Sequence, residues 1–153
     1  MIPFNQETIS ALGKAIVEIT DNFREPPIMI TINKSESVIG TLGNFSASTG
    51  KAKSRKTFNV ISLVAAALSG KQILQYKVKV PPTRPVILYC DTEQSKFHCH
   101  RLLSRIYKLI DYPTTEVHDN LKFISLREYP TKERINIIEY ALFKYADRIG
   151  LVI

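Results

Sequence analysis

Val86-Ile87-Leu88-Tyr89-Cys90 is a continuous apolar run. With no polar position to offer to water, it is stable only as a strand covered on both faces. Such strands belong to parallel sheets with helices packed against them. The flanking segments fit that demand. Residues 56–69 are apolar nearly all round and are closed by Gly70, which predicts a helix buried against a sheet. Ser95 is placed to cap a second helix, with Cys99, Leu102, Leu103, Ile106 and Ile110 facing inward. Leu121–Leu126 reads as a strand. Thr131 is placed to cap a helix with Ile135, Ile138, Leu142 and Tyr145 on one side, and Gly150 opens a last apolar run to Ile153.

Upstream, Ile9, Leu12, Ile16, Ile19 and Phe23 recur at three- and four-residue steps, predicting a helix over 6–24 that Glu25-Pro26-Pro27 stops. Ile28–Ile32, Val38–Leu42 and Phe45–Ser48 read as strands, the first two forming a small hairpin about the polar turn Asn33–Ser37. Lys71–Pro85 reads as an exposed loop or a short edge hairpin. The alternation of strands and helices predicts an α/β fold: a mostly parallel sheet flanked by helices, preceded by a helix and a hairpin. At 153 residues the chain is one domain's length. No apolar run approaches the ~18 residues of a membrane span. No basic and then apolar leader opens the chain. Two cysteines, Cys90 and Cys99, make no disulfide framework, so a reducing cytoplasm is expected.

Charge is unevenly distributed. Gly50–Cys90 holds eight basic residues (Lys51, Lys53, Arg55, Lys56, Lys71, Lys77, Lys79, Arg84) and no acid, while the other 112 residues sum to −1. A local basic surface implies an anionic partner, nucleotide phosphate or nucleic acid, or else a solvated face that aids solubility. Gly50-Lys51-Ala52-Lys53-Ser54-Arg55-Lys56-Thr57 sits between a predicted strand and the buried helix. It matches the phosphate-loop pattern G-x-x-x-x-G-K-[ST], except that Arg55 replaces the second glycine. In such a loop, backbone N–H groups at the helix start point at phosphate oxygens. Lys56 would reach the β- and γ-phosphates of a nucleotide, and Thr57 would offer a hydroxyl to Mg²⁺. Glycine in place of Arg55 would permit positive φ and close backbone approach. Lys51 and Lys53 contact phosphate or DNA, or are simply solvated.

Asp91-Thr92-Glu93 follows the Val86–Cys90 strand at its carboxyl end, where open α/β sheets bind ligands. Carboxylates there can polarise an attacking water or help hold a metal's shell. Equally, they can be turn and helix-cap acids. His98-Cys99-His100 does not predict a metal site, because adjacent helical residues point apart. Tyr76 beside Lys77 and Lys79 could stack on a base.

These two motifs in this order, with the lead-in Ile39-Gly40-Thr41-Leu42-Gly43-Asn44-Phe45-Ser46, resemble the RecA-like P-loop ATPases. More closely, they resemble the RepA-like and DnaB-like branch found on plasmids and bacterial mobile elements. The resemblance covers residues 38–153, with 1–37 as a lead-in. It implies binding of ATP and Mg²⁺ and a water-activating base at Glu93, while Thr57, from the loop pattern, and Asp91, from its place at the strand end, are the metal-shell candidates. It also implies coupling to DNA in replication or mobilisation, and a homo-oligomeric ring. In that family a later apolar strand ends in an aspartate that orders water on Mg²⁺. Gly150-Leu151-Val152-Ile153 resembles that strand, and no aspartate follows. The expectation is therefore an N-terminal fragment of a longer ATPase, with an incomplete metal site and poor hydrolysis. Two other readings stay open: a basic DNA-binding module with a vestigial loop, and a small-molecule phosphotransferase.

Overall fold

The computed structural model describes residues 4–32, 37–51 and 55–153. In chain order the elements are α1 (Gln6–Ala15), β1 (Ile28–Ile32), β2 (Ser37–Thr41), α2 (Lys56–Ser69), β3 (Tyr76–Val78), β4 (Val86–Asp91), α3 (Lys96–Leu109), β5 (Leu121–Ser125), α4 (Thr131–Lys144) and β6 (Ile149–Val152). They build an α/β fold with two sheets. One is parallel, in the order β5-β4-β6, and the other antiparallel, in the order β2-β1-β3.

The apolar run is the central parallel strand. Val86, Ile87, Leu88 and Tyr89 are all buried. Ile87 and Tyr89 pack with Ile61, Val64 and Ala65 of α2 and Leu102, Ile106 and Tyr107 of α3. β5 lies on one side of β4 and β6 on the other, so α4 carries the chain back across β4. The right-handed rule for parallel crossovers would put α4 on the face opposite α3. α2 also carries the second sheet: Ala66 packs with Met29, Ile30 and Val78. Two sheets thus share one helix.

α2 occupies the predicted span. Gly70 closes it at φ +64°, and its N–H donates to the Ala66 carbonyl at 3.0 Å. β3 turns the basic segment into an edge strand, entered through a tight turn in which Ile73 and Tyr76 exchange both backbone hydrogen bonds at 3.0 Å. Three expectations need correction. The first helix ends at Ala15 rather than residue 24, because the β-branched run Ile16, Val17, Ile19, Thr20 resists helix. Phe45–Ser48 is not a strand: Phe45 is exposed, and Ser46, Ala47 and Ser48 offer little apolar surface to hold the segment on a sheet. Finally, Pro130 and not Thr131 holds the cap position of α4. Residues 33–36 of the hairpin turn lie outside the described residues. No helix among the described residues is long and apolar enough to cross a membrane.

Candidate functional site

The phosphate-loop candidate is described at Gly50, Lys51 and Arg55–Thr57, while Ala52, Lys53 and Ser54 lie outside the described residues. Lys51, Arg55, Lys56 and Thr57 are exposed. Arg55 is the residue before α2 and takes a left-handed backbone conformation, φ +60° and ψ 23°. That is the region glycine enters without steric penalty. The Lys56 side chain folds back, and its Nζ donates to the Gly50 carbonyl at 2.9 Å, closing the loop upon itself. Among the described residues no side chain caps α2, and its first turn contains no acid. The first N–H groups of a helix lack intrahelical acceptors and carry the positive end of its dipole. A helix start that Arg55 does not cap, with Lys56 in its first turn, is suited to an anion.

Residues 40–48 lead into this loop. With Val60 and Leu63 of α2 and Gly150–Ile153, residues 40–46 and Ser48 line a cavity of about 700 Å³. The loop's lead-in therefore borders the end of the parallel sheet, but across a gap and not as a paired strand.

At the carboxyl end of β4, Asp91 is buried. Its Oδ1 accepts the N–H groups of Glu93 at 2.9 Å and Gln94 at 2.8 Å, and its Oδ2 accepts Gln94 Nε2 at 3.2 Å. It thus organises the turn into α3. Burial pushes the neighbouring Tyr89 hydroxyl up to about 12, and the Asp91 charge adds to that rise. Glu93 itself projects from this turn and is exposed.

Comparison with family models, curated proteins and solved structures finds no match.

The turn bearing Glu93 is braced by residues that sequence reading passed over. The Ser125 hydroxyl at the end of β5 donates to the Gln94 carbonyl at 3.4 Å. Arg134 of α4 donates through Nε to the Tyr129 carbonyl at 2.7 Å and through Nη2 to the Arg127 carbonyl at 2.9 Å. Its Nη1 reaches the Thr92 carbonyl at 3.5 Å. One guanidinium thus ties the loop after β5 to the loop after β4. No motif announces such an arginine, since its partners are carbonyls and carbonyls leave no mark in sequence. Among the described residues no hydrogen bond or ion pair joins Lys56 or Thr57 to Asp91 or Glu93. Lys56 is engaged with Gly50, and Asp91 with its own turn. His98 meets Ser95, its Nδ1 at 2.9 Å from the hydroxyl, while Cys99 is buried and His100 exposed.

The donor set suits phosphate better than metal. Thr57 brings one exposed hydroxyl, and the hydrogen bonds on Asp91 occupy both its oxygens. A Mg²⁺ ion held here would take most of its ligands from phosphate oxygens and water, as this ion commonly does.

Proposed function

We propose that this chain is the nucleotide-binding part of a DNA-linked ATPase, taking the phosphates of ATP at residues 50–57. The observation that carries the reading is Arg55: at the place where the phosphate-loop pattern asks for glycine, the backbone has the left-handed turn that glycine would provide. Arg55 puts no side-chain cap on the helix that follows, and the first N–H groups of a helix can bind phosphate. On binding, Lys56 would exchange the Gly50 carbonyl for phosphate oxygens, a stronger, charge-assisted partner. Mg²⁺ would neutralise phosphate charge, with Thr57 as its protein ligand. Glu93, on a braced turn at the carboxyl end of the central strand, is the candidate base toward water. With Asp91 engaged in its turn, this chain's own contribution to hydrolysis is expected to be weak. DNA and further copies of the chain are the partners that the resemblance implies.

Titration with ATP and ADP, with and without Mg²⁺, beside Lys56→Ala, tests the site. Saturable binding that falls at least about tenfold in the variant is expected, the loss of one charge-assisted phosphate contact. Equal binding by both proteins would remove the phosphates from this loop.

A further inference from the structure

The antiparallel sheet has an outer face that the nucleotide reading does not use. Val78 is buried with Ala66 of α2 and Ile30 of β1. Its neighbours Lys77 and Lys79 are exposed and, by strand alternation, point together away from α2. The Lys79 N–H donates to the Met29 carbonyl at 2.8 Å, which fixes the register just past the end of β3. Across the sheet Lys77 stands opposite Thr31, and Thr31 opposite the exposed Val38. Lys71 and Arg84, both exposed, lie before and after β3 on the same segment.

Among the described residues the ion pair formed is Lys96–Glu128, far along the chain, so no described carboxylate pairs with these four cations. The concavity beside Thr31, Lys77 and Lys79 holds only about 100 Å³. That is too small for a nucleotide-sized ligand, which takes roughly 300 Å³ or more. The surface suits an extended polyanion rather than a compact one. Lys77 and Lys79 are two strand positions apart, about 6.6 Å. This is comparable with the separation of neighbouring phosphates along a strand.

We propose that the outer face of the β2-β1-β3 sheet, centred on Lys77 and Lys79 and flanked by Lys71 and Arg84, binds the phosphodiester backbone of DNA. The inference rests on the reading of the chain as DNA-linked, and it gives that partner a place distinct from the loop at 50–57. Tyr76, the aromatic residue beside Lys77, packs against the cluster of Met29, Ile30, Ala66 and Val78 rather than on the outer face, so the contact is to backbone and is indifferent to sequence.

The test measures binding of the full chain to a fluorescent single-stranded oligonucleotide and to its duplex, over a range of salt. Lys77→Glu/Lys79→Glu is set against Lys132→Glu/Lys144→Glu, which makes the same charge change on exposed positions of α4. The first pair is expected to weaken binding about tenfold and to reduce the slope of log K against log salt by about 2, while the control pair leaves both near the parent values. Equal loss in the two pairs would overturn the site, leaving only net charge. Lys77→Gln/Lys79→Gln, which keeps the strand polar, gives the same reading should charge reversal disturb folding. The two DNA forms identify which one is preferred. Binding to anionic vesicles in place of either form would overturn the assignment to nucleic acid. ATP affinity measured on the same variants separates failure here from failure of the nucleotide site, which Lys56→Ala reports alone.

Discussion

Arg55 holds a conformation that costs an L-residue about 1 kcal/mol or more, and its side chain makes no capping hydrogen bond to offset that. Arg55→Gly removes the strain, while the added freedom of the unfolded chain takes back part of the gain. The expected net effect on urea denaturation is stabilisation of up to about 1 kcal/mol. Arg55→Val, branched at Cβ, should destabilise by a similar amount. Nucleotide affinity of Arg55→Gly should be retained, because the backbone turn and Lys56 both remain. The residue scale is also where sequence reading was least complete. Spacing singles out Gly50, Lys56 and Thr57 as candidates, but it does not tell that Arg55 takes the glycine conformation. Nor did spacing decide between the two readings of Asp91. Its hydrogen bonds to Glu93, Gln94 and the Gln94 side chain give it the role of a turn acid.

At the scale of elements, periodicity served well wherever a tertiary partner enforces it. β4, α2 and α3 were legible because each buries the face its sequence marks. α1 was half legible. Its start is fixed locally, with Asn5 Oδ1 accepting the Thr8 N–H at 2.7 Å, but the apolar stripe beyond it buries nothing. With no packing to enforce the helix, local preference decides, and the β-branched run ends it at Ala15. The contrast makes a prediction. Leu12→Asp, on the exposed stripe, should leave the cooperative thermal midpoint unchanged within about 0.5 kcal/mol of stability. Ile106→Ala, fully buried between α2 and β4, should cost about 2–5 kcal/mol. Thermal and denaturant unfolding of the two variants would check this, and a large loss in Leu12→Asp would mean that α1 is covered in solution. Phe45–Ser48 follows the same rule: Phe45 is exposed rather than packed, the segment does not pair, and it stays irregular beside β6.

At the scale of the molecule, the two sheets are joined not only through α2 but also where Val80–Arg84 passes over the start of β6. Gly150 makes that passage possible. A Cβ built there would collide with the Arg84 carbonyl and with the Val80 side chain. The obstacle is backbone, and the Arg84 N–H is itself committed to the Pro81 carbonyl at 2.8 Å, so the turn does not give way easily. The Val86 N–H donates to the Arg148 carbonyl at 2.8 Å immediately afterwards, anchoring the strand on the other side of the contact. Gly150→Ala therefore forces apart the segment that leads from the basic sheet and the strand that edges the parallel one. It should destabilise the fold by about 1–3 kcal/mol, the range for overpacking a tight interior contact. Gly13→Ala is the control. It lies in α1 with nothing within 4 Å, and should raise helix content without moving the main transition. If Gly150→Ala unfolded at the parent's denaturant midpoint, the two sheets would not be packed through this contact. The packing of Ala66 of α2 on Met29, Ile30 and Val78 would then be the contact that holds Lys77 and Lys79 in place relative to the loop at 50–57. A lowered midpoint with one cooperative transition is the outcome expected of two sheets that unfold as one body.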